Sequence, residues 1–145
     1  MLDVLEDLVE CCKDGEYGFR ACAENAKRDD LRSVFNDRAE DCRRGAQELQ
    51  QQVRALGGEV DDSGSALGAV HRGWVSVRST LSTYDDKAML DEAERGEDNA
   101  LARYRKALQK PLPSNIREVV ERQLQGVQRN HDQIKMLRNQ FSAAG

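Results

Sequence analysis

Apolar and small residues recur every three or four positions along most of the chain, which is the spacing of one face of an α-helix. Four long stretches share this spacing: Leu5 to Ala26, Leu31 to Leu56, Met89 to Leu108 and Ile116 to Phe141. A shorter one runs from Leu67 to Leu81. The pattern therefore predicts an all-α protein with four long helices and one shorter helix between the second and the third.

Polar and helix-breaking residues separate these stretches. Asp29 or Asp30 can cap the second helix, Gly57-Gly58 ends it, and the segment 83–86 supplies a turn and a cap for the third. Pro111-Leu112-Pro113-Ser114 stops the third helix and starts the fourth. The short connections predict two antiparallel helix pairs, and the long middle connection predicts a four-helix bundle with one crossover. A plain up-and-down bundle of five helices is the alternative.

Size and charge limit the classes of protein that fit. The chain has 145 residues, of which 39% are hydrophobic and 33% are charged, and only two are prolines. This predicts a single helical domain over residues 1–145. The net charge is -4 with both signs interspersed, which argues against nucleic-acid binding.

The beginning of the chain and its cysteines bear on location. Residues 1–7 contain neither a basic segment nor an uninterrupted apolar run, so we expect no signal peptide, no membrane span and a cytoplasmic protein. Four cysteines are present without a Cys-x-x-Cys pair. We therefore expect reduced thiols and no disulfide framework.

Several segments carry a resemblance to known families. Residues 12–19, 71–74 and 94–98 resemble a small bacterial ferritin-like family of unknown function, and this likeness covers nearly the whole chain. The stretch from Leu31 to Gly58 is similar to the second helix of rubrerythrin-like proteins. The resemblance implies a ferritin-like four-helix bundle whose long crossover contains an additional helix, and it loosely suggests a role in stress response.

The resemblance also implies a set of metal ligands. Ferritin-like di-metal sites use a Glu on the first helix of each pair and a Glu-x-x-His on the second. Glu16 and Glu97 match the two first-helix carboxylates, as a weak internal repeat that aligns Gly15-Glu16 with Gly96-Glu97 also indicates, and His131 matches the last histidine. Three positions depart from the motif: Cys42 and Gln128 replace its two Glu residues, and Gly45 replaces its other His.

The incomplete motifs predict a degenerate site. It would bind at most one metal ion, with zinc, copper and iron as candidates, and the missing donors argue against an enzymatic reaction.

Each candidate ligand also has a structural interpretation. Glu97 interrupts a seam of small residues, so it needs a metal, a hydrogen-bond donor or solvent. His131 lies on an apolar helix face, where a hydrogen-bonded core histidine is the commoner role. Cys12 and Cys42 lie on the core faces of adjacent helices, where free cysteine usually packs as a small apolar residue. The alternative function is therefore a metal-free helical module that acts through protein contacts or forms a homo-oligomer.

Overall fold

The computed structural model describes residues 2–59 and 85–144, and these residues form four α-helices without a strand. In chain order they are α1 (Leu2–Asn25), α2 (Asp29–Ala55), α3 (Asp86–Leu108) and α4 (Ser114–Ala144). The all-α class and the four long helices predicted from the apolar spacing are confirmed. No helix among the described residues is both long enough and apolar enough to cross a bilayer.

The ends of the helices follow the local chemistry of the chain. Asp85 caps α3 as predicted, because its carboxylate accepts the backbone N–H of Ala88 at 2.7 Å. The predicted cap of α2 by Asp29 or Asp30 is wrong. Arg28 occupies the capping position, and both acids lie inside the first turn, where their charge faces the positive end of the helix dipole. Gly57, with φ of 83°, takes the left-handed backbone that terminates α2.

The packing of the helices sets their directions. Helix α1 packs against α2 and α3, and α4 packs against the same two helices. Gly58, just past α2, lies beside Leu2 at the start of α1. The start of α3 lies at the other end of α1, where Asp86 accepts the backbone N–H groups of Lys27 and Arg28 at 2.9 and 3.1 Å. Helices α2 and α3 therefore run parallel, and the chain leaves α2 at one end and enters α3 at the other.

The predicted shorter helix from Leu67 to Leu81 belongs to the connection between α2 and α3. It lies outside the described residues, and so do residues 71–74 of the ferritin-like resemblance.

The apolar core of the described residues consists of two clusters, one toward each end of the bundle, and all four helices contribute to both. The Phe35 cluster includes Phe19, Leu31, Phe35, Leu90 and Ile134. The Leu49 cluster includes Leu5, Leu8, Leu49, Tyr104 and Val120. Between the clusters lies a middle section, in which Gly15 faces Cys42, Glu97 is close enough to affect the charge of Cys42, and His131 contacts Asp98, the residue after Glu97. Small and polar side chains therefore replace large apolar ones at the centre of the bundle.

Candidate functional site

Helices α1 and α2 approach each other closely through two reciprocal contacts, one in the middle section and one at its border with the Leu49 cluster. A Cβ atom at Gly15 would lie 2.8 Å from Cys42 Sγ, and one at Gly45 would lie 3.3 Å from Cys12 Sγ. The sequence signal for this arrangement is a Cys-x-x-Gly motif in each helix, Cys12 to Gly15 and Cys42 to Gly45. The antiparallel direction of the helices sets each cysteine against the glycine of the other motif.

The four cysteines carry no disulfide, and three of them are buried. Burial raises the pKa of Cys12 to about 11 and the pKa of Cys42 well above its usual value, and the neighbouring charges add to the effect on Cys42. Because the thiolate is the reactive and metal-binding form, these thiols are poor ligands at neutral pH. Their position fits the packing interpretation of Cys12 and Cys42.

Glu97 is a buried acid in the interior of the middle section. Its residue is only 5% exposed, and its Oε1 atom has no hydrogen-bond partner among the described residues. Burial raises the pKa of Glu97 to about 8, against the opposing effect of the Arg38 charge. The carboxyl group is therefore largely protonated at neutral pH, and a metal ion at this position would have to displace its proton.

Arg38 extends from α2 toward the same interior. Its Nη2 atom pairs with Asp41 Oδ2 at 3.1 Å, whereas Nε and Nη1 are buried without a hydrogen-bond partner in residues 2–59 and 85–144. A buried donor without a partner costs free energy unless water or another group satisfies it. Arg38 and Glu97 are thus two polar groups whose hydrogen-bonding capacity the described side chains leave partly unfilled.

A second polar arrangement runs from the core to the surface through four residues. Tyr104 Oη donates to Gln123 Oε1 at 2.6 Å, so the thiol of Cys12, 3.2 Å away, is the group that donates to Tyr104. Gln123 Nε2 then donates to Glu48 Oε1 at 2.8 Å. This series of hydrogen bonds satisfies each polar group that it includes. It connects one residue from each of the four described helices, on the side of the middle section where the Leu49 cluster lies.

The strongest candidate for a metal site lies between α3 and α4. Glu94, Asp98 and His131, which we call the α3–α4 cluster, place one ligand atom each within 4.8 Å of the others. His131 Nε2 is 2.5 Å from Asp98 Oδ1 and 4.0 Å from Glu94 Oε1, and Nε2 forms no hydrogen bond of acceptable geometry with any described residue. One imidazole nitrogen and two carboxylate oxygens are a donor set suited to Zn²⁺ or Fe²⁺.

Helix geometry explains this convergence. Glu94 and Asp98 are four residues apart, so they share one face of α3. The side chains of Glu94 and His131 are each 12% exposed, whereas that of Asp98 is 59% exposed. The cluster is therefore half-buried and opens to solvent on the Asp98 side.

Two further residues surround the cluster. The carboxylate of Asp132 lies 3.4 Å from His131 Nδ1, on the ring nitrogen that does not face the cluster. The guanidinium of Arg138, two helical turns beyond His131, forms an ion pair with Glu94 through Nη1 and Oε2. A metal-binding histidine commonly has such a carboxylate at its other nitrogen, which fixes the ring and its tautomer.

The residues predicted from the sequence fall in three places. Glu16 lies between α1 and α2, with its side chain 29% exposed and 3.7 Å from Arg20. Glu97 and Cys42 are inside the bundle. His131 belongs to the α3–α4 cluster. Gln128 lies one turn before His131. Its Nε2 donates to Asp132 Oδ1 at 3.0 Å, and its Oε1 accepts from Arg105 Nη2 at 3.1 Å.

The structure thus does not bring the five predicted ligands together, and it joins His131 to two acids that the sequence interpretation left out. The available signal was the four-residue spacing of Glu94 and Asp98, each of which lies one residue after a position, Ala93 or Glu97, that the apolar pattern placed at the core. Charged residues four apart on a helix usually mark a solvated face. Only the pairing of α3 with α4 shows that this face meets a histidine.

The described residues define an all-α protein in which four helices pack together and a carboxylate–histidine group lies between α3 and α4. The chain belongs to the family described as "Domain of unknown function (DUF2383)", whose pattern it matches over residues 1–110. That range contains α1, α2 and α3, with Glu94 and Asp98, and ends before α4 and His131. A comparison with curated proteins found no match.

Proposed function

We propose that this protein is a ferritin-like helical protein that binds one divalent metal ion, at the α3–α4 cluster. The observation that carries the proposal is the convergence of His131, Asp98 and Glu94 within 4.8 Å. Three protein ligands at a half-buried position leave coordination sites for water or an external ligand, as in zinc sites that are not purely structural.

The ferritin-like assignment is supported by the topology. Helices α2 and α3 run parallel, and the chain leaves one and enters the other at opposite ends of the bundle. A single long crossover between two antiparallel pairs is characteristic of ferritin-like bundles. The position of the proposed ion differs from the one that the family resemblance implies. Burial raises the pKa of Glu97 to about 8, so an ion at that position would have to displace a proton, and the Glu16 side chain is 29% exposed and lies 3.7 Å from Arg20.

Metal content of the purified protein and of variants tests the proposal. We expect about one ion of zinc or iron for each chain in the natural protein, and a loss of most of it in Glu94→Gln and His131→Ala. Elemental analysis by mass spectrometry measures the content, and titration with Co²⁺ followed by absorption measures the affinity. Because second-sphere and ligand changes commonly cost metal affinity, a loss of at least roughly tenfold is expected for each variant.

Glu92→Gln is the matched control. Glu92 lies two residues before Glu94 on the same helix, has a side chain of similar exposure and also pairs with an arginine, Arg95. It lies outside the cluster, so its substitution should leave the metal content unchanged. Equal losses in Glu92→Gln and Glu94→Gln would mean that the binding is not specific to the cluster.

Glu97→Gln distinguishes the proposed position from the family-type position. Binding that survives this substitution supports the α3–α4 cluster, whereas binding that depends on Glu97 and not on Glu94 places the ion inside the bundle. A natural protein that binds neither Zn²⁺, Fe²⁺, Cu²⁺ nor Co²⁺ would contradict the metal function and favour the metal-free interaction module. The role in stress response stays a prediction.

A further inference from the structure

We propose that Arg138 is a built-in cation that competes with the metal ion for Glu94 and so limits how tightly the α3–α4 cluster holds that ion. The inference rests on the proposed function, and it concerns the control of the site. Arg138, which lies on α4, would act on the bound ion through its ion pair with Glu94.

The geometry divides the two oxygens of Glu94 between two positive groups. Oε2 is in the ion pair with Arg138 Nη1, and Oε1 is the oxygen that faces His131 Nε2. Arg138 is further fixed from its other side, because its Nε lies 3.8 Å from Asp91 Oδ1. With Arg138 in place, Glu94 can offer a metal ion only one oxygen.

The charges make this a competition. Glu94 is largely buried, so without a metal ion its carboxylate needs another positive partner, and Arg138 supplies it. A divalent ion bound at Oε1 would then lie only a few ångströms from the guanidinium, and like charges repel at that distance. Arg138 therefore keeps the empty site stable and weakens the filled one, which favours an ion that exchanges readily.

Removal of the charge at position 138 tests this inference. In Arg138→Gln and Arg138→Met the second oxygen of Glu94 becomes available and the repulsion disappears. We expect affinity for Co²⁺ and Zn²⁺ to increase on the order of tenfold. Release of Zn²⁺ to an added chelator should slow by a similar factor. Two neutral replacements are included so that either one that folds gives an answer.

Two further variants are controls. The first tests whether the positive charge at position 138 matters or the shape of its side chain, and the second tests the effect of the protein's net charge. Arg138→Lys keeps the positive charge, so its affinity should stay close to that of the natural protein. Arg129→Met removes the same charge from an exposed position of α4 and should leave the affinity unchanged.

The outcomes distinguish the two proposals. Natural protein that binds metal, with neutral variants that bind equally well or more weakly, overturns the competition and leaves the metal function intact. Tighter binding in the neutral variants, including binding that is detectable only in them, supports the competition. Absence of binding in the natural protein and in every variant overturns both.

Discussion

The carboxyl group of Glu97 illustrates how the interior changes a single residue. Glu97 is 5% exposed and its pKa is raised to about 8 by burial. An unfolded chain would have an ordinary carboxyl group with a pKa near 4.5. Between these two values the folded protein binds more protons at this position than the unfolded chain, so the contribution of Glu97 to stability falls as the pH rises.

Comparison with Glu97→Gln tests this effect. From pH 4.5 to pH 8 the free energy of unfolding of the natural protein should fall, relative to that of the variant, by on the order of a few kcal/mol, and the difference should level off above pH 8. Urea denaturation at several pH values measures it. Glu118→Gln, an exposed position on α4, is the control and should follow the natural protein. Identical pH dependence in the natural protein and in Glu97→Gln would mean that Glu97 is ionised when the protein is folded.

The orientation of single side chains is the part of the site that could not be predicted from the sequence. Glu97 interrupts a seam of small residues, a pattern that left a buried and a solvent-exposed position open, and in the structure the residue is buried. The grouping of His131 with Asp98 and Glu94 depends on the rotation of α3 relative to α4. A rotation of one residue, about 100°, decides whether an acid faces the core or a neighbouring helix. Sequence spacing alone does not fix that angle when small and charged residues alternate.

At the scale of helices, the two Cys-x-x-Gly motifs set how closely α1 and α2 approach. Gly15→Ala would place a methyl group 2.8 Å from Cys42 Sγ. We expect a loss of about 1–3 kcal/mol of stability, although alanine is the better helix former. The measurement is the free energy of unfolding in urea.

Removal of the opposing sulfur should relieve this clash. In a double-mutant cycle, Gly15→Ala combined with Cys42→Ala should be more stable than the two single losses predict, with a coupling of about 0.5–3 kcal/mol. Gly126→Ala is the control, because its new methyl group would meet only the end of the Arg129 side chain, at 3.7 Å. It should be neutral or slightly stabilising. Additive effects at Gly15 and Cys42 would show that the helices adjust their spacing without strain.

Helix limits were the most predictable feature at this scale. Pro111 and Pro113 separate α3 from α4 as expected, because proline disrupts a helix interior and suits a first turn. The cap of α2 was predicted incorrectly because an acidic residue suits the capping position and the first turn equally well on sequence grounds. Asp30 instead bonds to the side chain of Arg28, with contacts of 2.6 and 3.0 Å.

At the scale of the whole molecule, Asp86 connects elements that are distant in sequence. The residue is 7% exposed, and its carboxylate accepts the backbone N–H groups of Lys27 and Arg28 in the turn between α1 and α2. Asp86→Ala should cost about 1.5–3 kcal/mol, because it leaves those donors without their charged acceptor. It should also speed tryptic cleavage after Lys27 and Arg28, which the loss of the contact would release from α3.

Asp85→Ala serves as the comparison for Asp86. Asp85 caps α3 and does not contact the turn, so its replacement should cost about 1 kcal/mol and leave the cleavage rate at Lys27 and Arg28 nearly unchanged. Equal cleavage rates in the two variants would contradict the proposed connection. The sequence predicted that segment 83–86 forms a turn and a cap. It gave no indication that the second acid of this segment, Asp86, binds the turn that follows α1.

The division of the core into a Phe35 cluster and a Leu49 cluster has a consequence for how the protein opens. Each cluster is a cross-section of all four helices, so either end can lose its packing while the other remains closed. Backbone amides at the two ends would then exchange their hydrogens with solvent at independent rates. The α3–α4 cluster lies between these two units, so an ion bound there would couple the opening of one end of the bundle to the opening of the other.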